Sequence, residues 1–221
     1  MSERTLKQII EKIDNTCVYD IAIKTPLERA DSISKRLKNE VFIKREDLQP
    51  VFSFKLRGAY TKIKSLRDVN SSKNLIAASA GNHAQGVALS ARKLGIKATI
   101  VMPTTTPKIK VDAVKNLGAK VILFGDSYDD AYKYAKNKSN KDKLEFIHPY
   151  DDIDVIAGQG TIGKEILDQQ NGKIDYIFIP VGGGGLLAGI AAYFRYMSPK
   201  TKIITVEPED SNCFYQAFRD K

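Results

Sequence analysis

Cysteine is almost absent from this 221-residue sequence, which has only Cys17 and Cys213 at opposite ends of the chain. Two isolated thiols supply neither a disulfide framework nor a metal-ligand spacing, and they fit a reducing, cytoplasmic setting. Long apolar runs are lacking too. No stretch approaches the roughly 20 apolar residues of a membrane-spanning helix. The opening Met1-Ser-Glu-Arg-Thr-Leu-Lys7 carries no apolar signal region, so neither export nor a membrane partner is expected. Low-complexity tracts and fixed-period repeats are missing as well, which excludes linker-like and solenoid organisation.

What is present is basic, with 35 Lys+Arg against 26 Asp+Glu and a formal net charge of +9. The densest patch, residues 133–143 (KYAKNKSNKDK), lacks the interleaved aromatics of a base-stacking platform. It reads as a solvated helix end and loop, and no nucleic-acid partner is expected. The surplus of cations still favours anionic ligands such as phosphates and carboxylates.

Short apolar runs alternate with longer helical patterns. They predict strands over 41–44, 74–79, 98–102, 120–124, 176–181 and 202–206, with helices over 55–66, 84–94, 108–117, 128–138, 155–169 and 186–197. Leu94-Gly95 and Leu117-Gly118 are helix stops, and Thr106-Pro107 offers a cap followed by a first-turn proline. Such alternation calls for an α/β protein whose parallel sheets are covered by helices. Soft boundaries at 70–73 and 148–152 suggest a small domain over 73–152, inserted in a larger one formed by 1–72 and 153–221.

Three segments carry chemistry. The first is Ser53-Phe-Lys-Leu-Arg-Gly-Ala59, which sets Lys55 beside an aromatic ring at the junction between the segment 41–47 and a helix. A partly desolvated lysine gives up its proton more readily, and the neutral amine attacks carbonyls. In the second, Ser79-Ala-Gly-Asn-His-Ala-Gln-Gly86, small residues open a helix. Backbone N–H groups can converge there on a carboxylate, with the Asn82 amide beside them. His83 reads as a helix-start residue with a structural hydrogen bond. The third is Val181-Gly-Gly-Gly-Gly-Leu-Leu-Ala-Gly189, which leaves an apolar strand and enters a helix. Four consecutive glycines cost chain entropy and let the backbone wrap a phosphate. For this segment alone a dinucleotide site is an alternative, with Glu207 where a ribose-binding acid would sit, although the G-x-G-x-x-G spacing is not matched.

Together with Lys44-Arg-Glu-Asp-Leu48, Met102-Pro-Thr104, Ile109-Lys-Val-Asp-Ala113 and Gly158-Gln-Gly-Thr161, these segments resemble the fold type II pyridoxal-phosphate enzymes. The likeness runs from about Thr25 to the end of the chain, and its nearest branch is biosynthetic threonine dehydratase (threonine ammonia-lyase). It implies a tryptophan synthase β-like α/β fold and pyridoxal 5′-phosphate as cofactor. The substrate would be a small amino acid, threonine or serine, and the pathway isoleucine biosynthesis. It also implies roles. Lys55 would form the Schiff base and shuttle the α-proton, Phe54 would lie against the pyridine ring, and Asn82 would bond the ring oxygen. Ser79, Ala80, Gly81, Asn82 and His83 would surround the substrate carboxylate, and Gly182, Gly183, Gly184, Gly185 and Leu186 would cradle the phosphate. Ala80 stands where racemase relatives place a proton-carrying serine, which favours elimination.

The resemblance also sets expectations of what departs from the family. Members continue past this point to a residue that meets the pyridine nitrogen. The large domain is therefore expected to be incomplete, the 221-residue chain a poor catalyst, and the flank near 203–206 open to a second copy in a homo-oligomer. Glu207 lies where racemase-like relatives bind a cation, but its local spacing differs and no metal is expected.

Overall fold

The computed structural model describes residues 3–69 and 74–219, so the boundary expected at 70–73 lies outside the described residues. The chain opens with helix α1 (Glu3–Asp14), which buries Ile9, Ile10 and Ile13. Strand β1 (Leu27–Arg29), helix α2 (Asp31–Leu37) and strand β2 (Phe42–Lys44) follow, with β1 and β2 paired antiparallel. This pair departs from the all-parallel expectation, because three-residue strands are too short for an alternation that sequence could reveal. Helix α3 (Lys55–Val69) comes next.

Four strands then alternate with three helices: β3 (Leu75–Ala78), α4 (Asn82–Leu94), β4 (Ala98–Met102), α5 (Lys108–Asn116), β5 (Lys120–Leu123), α6 (Tyr128–Asp142) and β6 (Glu145–Phe146). They form one parallel sheet in the order β5-β4-β3-β6. Successive side chains of β3 and β4 point to opposite faces. Leu75, Ala77, Ile100 and Met102 pack with Tyr60, Ile63 and Val87, whereas Ile76, Ala78 and Val101 pack with Ala131 and Ala135. Both faces are thus covered, as a parallel sheet requires. The chain continues through α7 (Ile153–Gln169), β7 (Tyr176–Pro180), α8 (Gly185–Met197), β8 (Lys202–Val206) and α9 (Cys213–Arg219). Strands β7 and β8 pair parallel in a separate sheet, in register from Tyr176↔Lys202.

Local signals explain several helix ends. Ser127 and Asp130 form a reciprocal capping box on α6, the Asp152 side chain accepts from the Asp154 and Val155 amides on α7, and Gly95 ends α4 at φ 70°. The cap expected from Thr106 is not made. Pro107 occupies the N-cap position of α5 without a side-chain hydrogen bond, and the Thr106 hydroxyl is buried without a partner. The basic patch at 133–143 is helical as far as Asp142, longer than the end-and-loop reading, and Lys138 there pairs with Asp142 at 2.5 Å.

Candidate active site

Lys55 is the first residue of α3, and its amide donates to the Ser53 hydroxyl at 3.2 Å. Its ammonium donates to the Pro149 carbonyl at 3.0 Å and lies 5.3 Å from the centre of the Phe54 ring. Burial pulls its pKa below the ordinary lysine value, since desolvation penalises the charged form. Across from it, β7 runs out through Val181 into the four glycines, and α8 begins at Gly185. Gly184 caps that helix at φ 85°, a conformation side-chain-bearing residues rarely adopt. Phe54, Lys55, Tyr150 and residues 180–187 line one cleft of about 270 Å³.

The glycines divide into two pairs. A Cβ on Gly183 would lie 2.2 Å from the Tyr150 ring, and one on Gly185 would lie 2.8 Å from the Tyr150 carbonyl oxygen. Those two are small because Tyr150 packs on them. A Cβ on Gly182 or Gly184 would meet no protein atom within 4 Å, so the run stays open on that side beside the N-terminus of α8. Such a bare backbone, with a helix dipole behind it, suits a phosphate.

The Ser79–His83 segment forms the turn into α4. The Gly81 amide donates to the Ser79 hydroxyl at 3.2 Å, Asn82 is exposed, and His83 is buried. The His83 Nε2–H donates to the Ile147 carbonyl at 2.9 Å, and burial lowers its pKa to about 4. A neutral imidazole with this structural bond is what the sequence indicates for it. This turn is not part of the cleft lining. It adjoins Lys55 through α4, where a Cβ on Gly86 would sit 3.1 Å from the Lys55 carbonyl.

The structure therefore gathers Phe54, Lys55 and Gly182–Leu186 around one cleft and leaves Ser79–His83 at its neighbouring helix start. Sequence reasoning missed Pro149 and Tyr150, which figured only in a boundary loop. Their contacts with Lys55 and the glycines join distant parts of the chain, and no local pattern announces them. Glu207 has another task. Its carboxylate accepts from the Phe214 and Tyr215 amides at 3.0 and 2.9 Å, which caps α9. Among the described residues no group of three or more His, Cys, Asp or Glu is placed to hold a metal ion.

A buried ionic cluster anchors the first turn of α3. Arg57 bonds Glu165 at 2.6 Å, Thr161 at 3.0 Å and Glu46 at 2.8 Å. Glu165 also meets the Lys44 ammonium at 2.6 Å and the Tyr19 hydroxyl at 2.7 Å. Burial works against the Glu165 charge, but hydrogen bonds and charge from Arg57, with Lys44 and Tyr19, hold its pKa below the usual value.

A family model for pyridoxal-phosphate dependent enzymes matches residues 18–221, and the chain belongs to that family. Its architecture is the fold type II one, α/β with helix-covered parallel sheets. Threonine dehydratase biosynthetic, chloroplastic, from Arabidopsis thaliana is 59% identical over 205 residues, covering 93% of this chain and 35% of the relative. L-threonine dehydratase biosynthetic IlvA from Burkholderia multivorans is 52% identical over 213 residues, covering 95% of this chain and 42% of the relative. The solved structure of the processed form of threonine deaminase isoform 2 from Solanum lycopersicum superposes with a TM-score of 0.91 at 53% identity, over 94% of this chain and 57% of that one. The chain thus spans well under half the length of these two curated relatives. Membership in this family, with Glu207 committed to α9, sets aside the dinucleotide alternative. Among the described residues no helix is long and apolar enough to cross a membrane.

Proposed function

We propose that this chain carries the cofactor-binding and proton-transfer groups of a threonine (serine) ammonia-lyase. The reaction converts L-threonine to 2-oxobutanoate and ammonia, the first step of isoleucine biosynthesis. The observation that carries this reading is the Lys55 ammonium, desolvated in a cleft shared with the open backbone of Gly182 and Gly184. When bound, pyridoxal phosphate supplies an electron sink for negative charge developing at the amino acid's Cα. Lys55 Nζ would hold the cofactor covalently and would be the base for the α-proton. The Phe54 ring, which lines the cleft, would lie against the cofactor and exclude water from that side. Backbone N–H groups of Gly182–Leu186 would bind the phosphate, and the Asn82 amide would bond the ring oxygen. Ser79, Gly81 and the amides of Asn82 and His83 orient the substrate carboxylate beside Ala80. Because Ala80 offers no acid, elimination without racemisation is expected.

The wider setting belongs to the same reading. A small domain over 73–152 within a large one of 1–72 and 153–221 is supported by the separate sheets β5-β4-β3-β6 and β7-β8. A homo-oligomer is supported by the exposed apolar side chains Phe178 and Val206 on β7 and β8. A cytoplasmic setting is supported by Cys17 and Cys213, both exposed as free thiols.

The test is covalent capture. Wild-type protein with pyridoxal phosphate should develop visible absorbance, weak for this partial chain, that borohydride fixes on Lys55, and should release 2-oxobutanoate from L-threonine only slowly while L-serine stays free of D-serine. Lys55→Ala should lose both capture and turnover, by about three orders of magnitude or more for loss of a covalent and proton-transferring group. Normal turnover by that variant, or capture at another lysine, would sink the assignment.

A further inference from the structure

The loop between β6 and α7 has a hydrogen-bonding arrangement that the reaction just described does not use. His148 is half-buried, and its Nδ1 lies 2.8 Å from the Asp151 amide and 3.3 Å from the Tyr150 amide. Backbone N–H groups only donate, so Nδ1 is the unprotonated acceptor and the ring is neutral, with its proton on Nε2. The two bonds fold residues 148–151 back on the imidazole. The Tyr150 ring then stands edge-on to it, with centroids 4.7 Å apart, and Tyr132 and Phe146 flank its other sides at 6.3 and 6.2 Å. The outcome of this fold-back is what lines the cleft: Pro149 turns its carbonyl to Lys55 Nζ at 3.0 Å, and Tyr150 lies against Gly183 and Gly185.

We propose that His148 is a positioning residue for the cleft: as a neutral acceptor it holds the 148–151 turn, which places the Pro149 carbonyl on Lys55 and the Tyr150 ring on the glycine run. This rests on the functional reading above for its consequence, but on the geometry alone for the turn. The turn needs an acceptor at the Nδ1 position, which the packing of the ring among Tyr132, Phe146 and Tyr150 holds in place. Protonation of Nδ1 would replace an acceptor by a donor facing two donors, so the imidazolium is incompatible with the turn. The charged surroundings are mixed. Burial disfavours the imidazolium most, Lys136 of α6 and Lys55 of α3 oppose it as well, and Asp151 and Asp152 on the loop itself favour it. Buried His83 of α4 is also within electrostatic reach. The balance lowers the His148 pKa, so the ring stays neutral below the usual imidazole value of about 6.5.

Two substitutions separate the acceptor from the ring. His148→Phe keeps the aromatic packing and removes the acceptor; His148→Asn places a non-titrating carbonyl oxygen near the Nδ1 position. Hydrogen exchange at the Tyr150 and Asp151 amides, in protein without cofactor and corrected for intrinsic rates, reads the turn directly. In wild-type protein, protection should fall only as the pH drops below about 6.5. In His148→Phe, exchange should be about tenfold faster at every pH, the loss of one net hydrogen bond. In His148→Asn, protection should be retained and independent of pH. Pyridoxal-phosphate affinity, followed by absorbance, should weaken about tenfold in the Phe variant and recover in the Asn variant. Wild-type protection in the Phe variant, or equal losses in both variants, would overturn the assignment. Wild-type protein that takes up no pyridoxal phosphate would overturn the functional reading, while the exchange data would still decide the role of His148.

Discussion

Lys55 owes its character to three neighbours that differ in how visible they were. Phe54 is adjacent in sequence, and the glycine run announces itself by composition. Pro149, 94 residues away, could be seen only once the chain was folded. The same holds for Gly183 and Gly185, which read in the sequence as phosphate ligands and are kept small by Tyr150, through its ring at Gly183 and its backbone at Gly185. Because burial favours the neutral amine, Lys55 should react with a small carbonyl reagent at lower pH than ordinary lysines. Reductive methylation of cofactor-free protein, resolved by peptide mapping across pH, should give Lys55 a midpoint below the usual value of about 10.4, with the exposed lysines of the same sample as reference. A midpoint at or above that of the exposed lysines would remove the electrostatic basis for its nucleophilicity.

Helix α7 is the element on which α3 and α8 both pack, and it does so through glycines. A Cβ on Gly158 would lie 2.5 Å from the Arg57 carbonyl oxygen and the Thr61 hydroxyl, and one on Gly160 would lie 2.5 Å from Ile13. On the facing helix α8, a Cβ on Gly189 would come within 2.4 Å of the Ile156 carbonyl. At Gly158 and Gly189 the close approach is to backbone, which cannot swing aside. Gly158→Ala should therefore destabilise the protein by about 1–3 kcal/mol despite its better helix propensity, seen as a lower denaturant midpoint with unchanged m-value. An unchanged or raised midpoint would mean that α3 and α7 slide apart freely. The existence of α7 was legible from its apolar spacing, but its crowding was not, because glycine in a helix pattern looks the same whether it faces water or another backbone. Helices α1 and α2 and strands β1 and β6 escaped the sequence reading; both strands are at most three residues long.

At the scale of the whole molecule, the cluster around Glu165 joins Tyr19 near the N-terminus, Lys44 of β2, Arg57 of α3 and α7 itself. Removing one charge leaves the others buried and unbalanced, so Glu165→Gln should cost about 3–5 kcal/mol. The pH dependence has a definite sign. Glu165 has a folded pKa below its unfolded one, so its stabilisation is complete above about pH 4.3 and is lost as the pH falls through the folded value. Acid titration of denaturant midpoints should show that loss in the wild type and a shallower one in Glu165→Gln; parallel curves would assign the acid sensitivity elsewhere.

Arg57 and Glu165 are 108 residues apart in the chain. Glu46, one of the two carboxylates that hold Arg57, precedes it in the chain, but during synthesis at about 5–20 residues per second Arg57 is made on the order of 5 to 20 seconds before Glu165, the fully buried one. For that interval a guanidinium destined for full burial has reason to remain in water, and the start of α3 with it. The lysine two residues earlier is thus fixed in place late, by a residue that takes no part in its chemistry. The timetable of the active site is written in the spacing of its salt bridge.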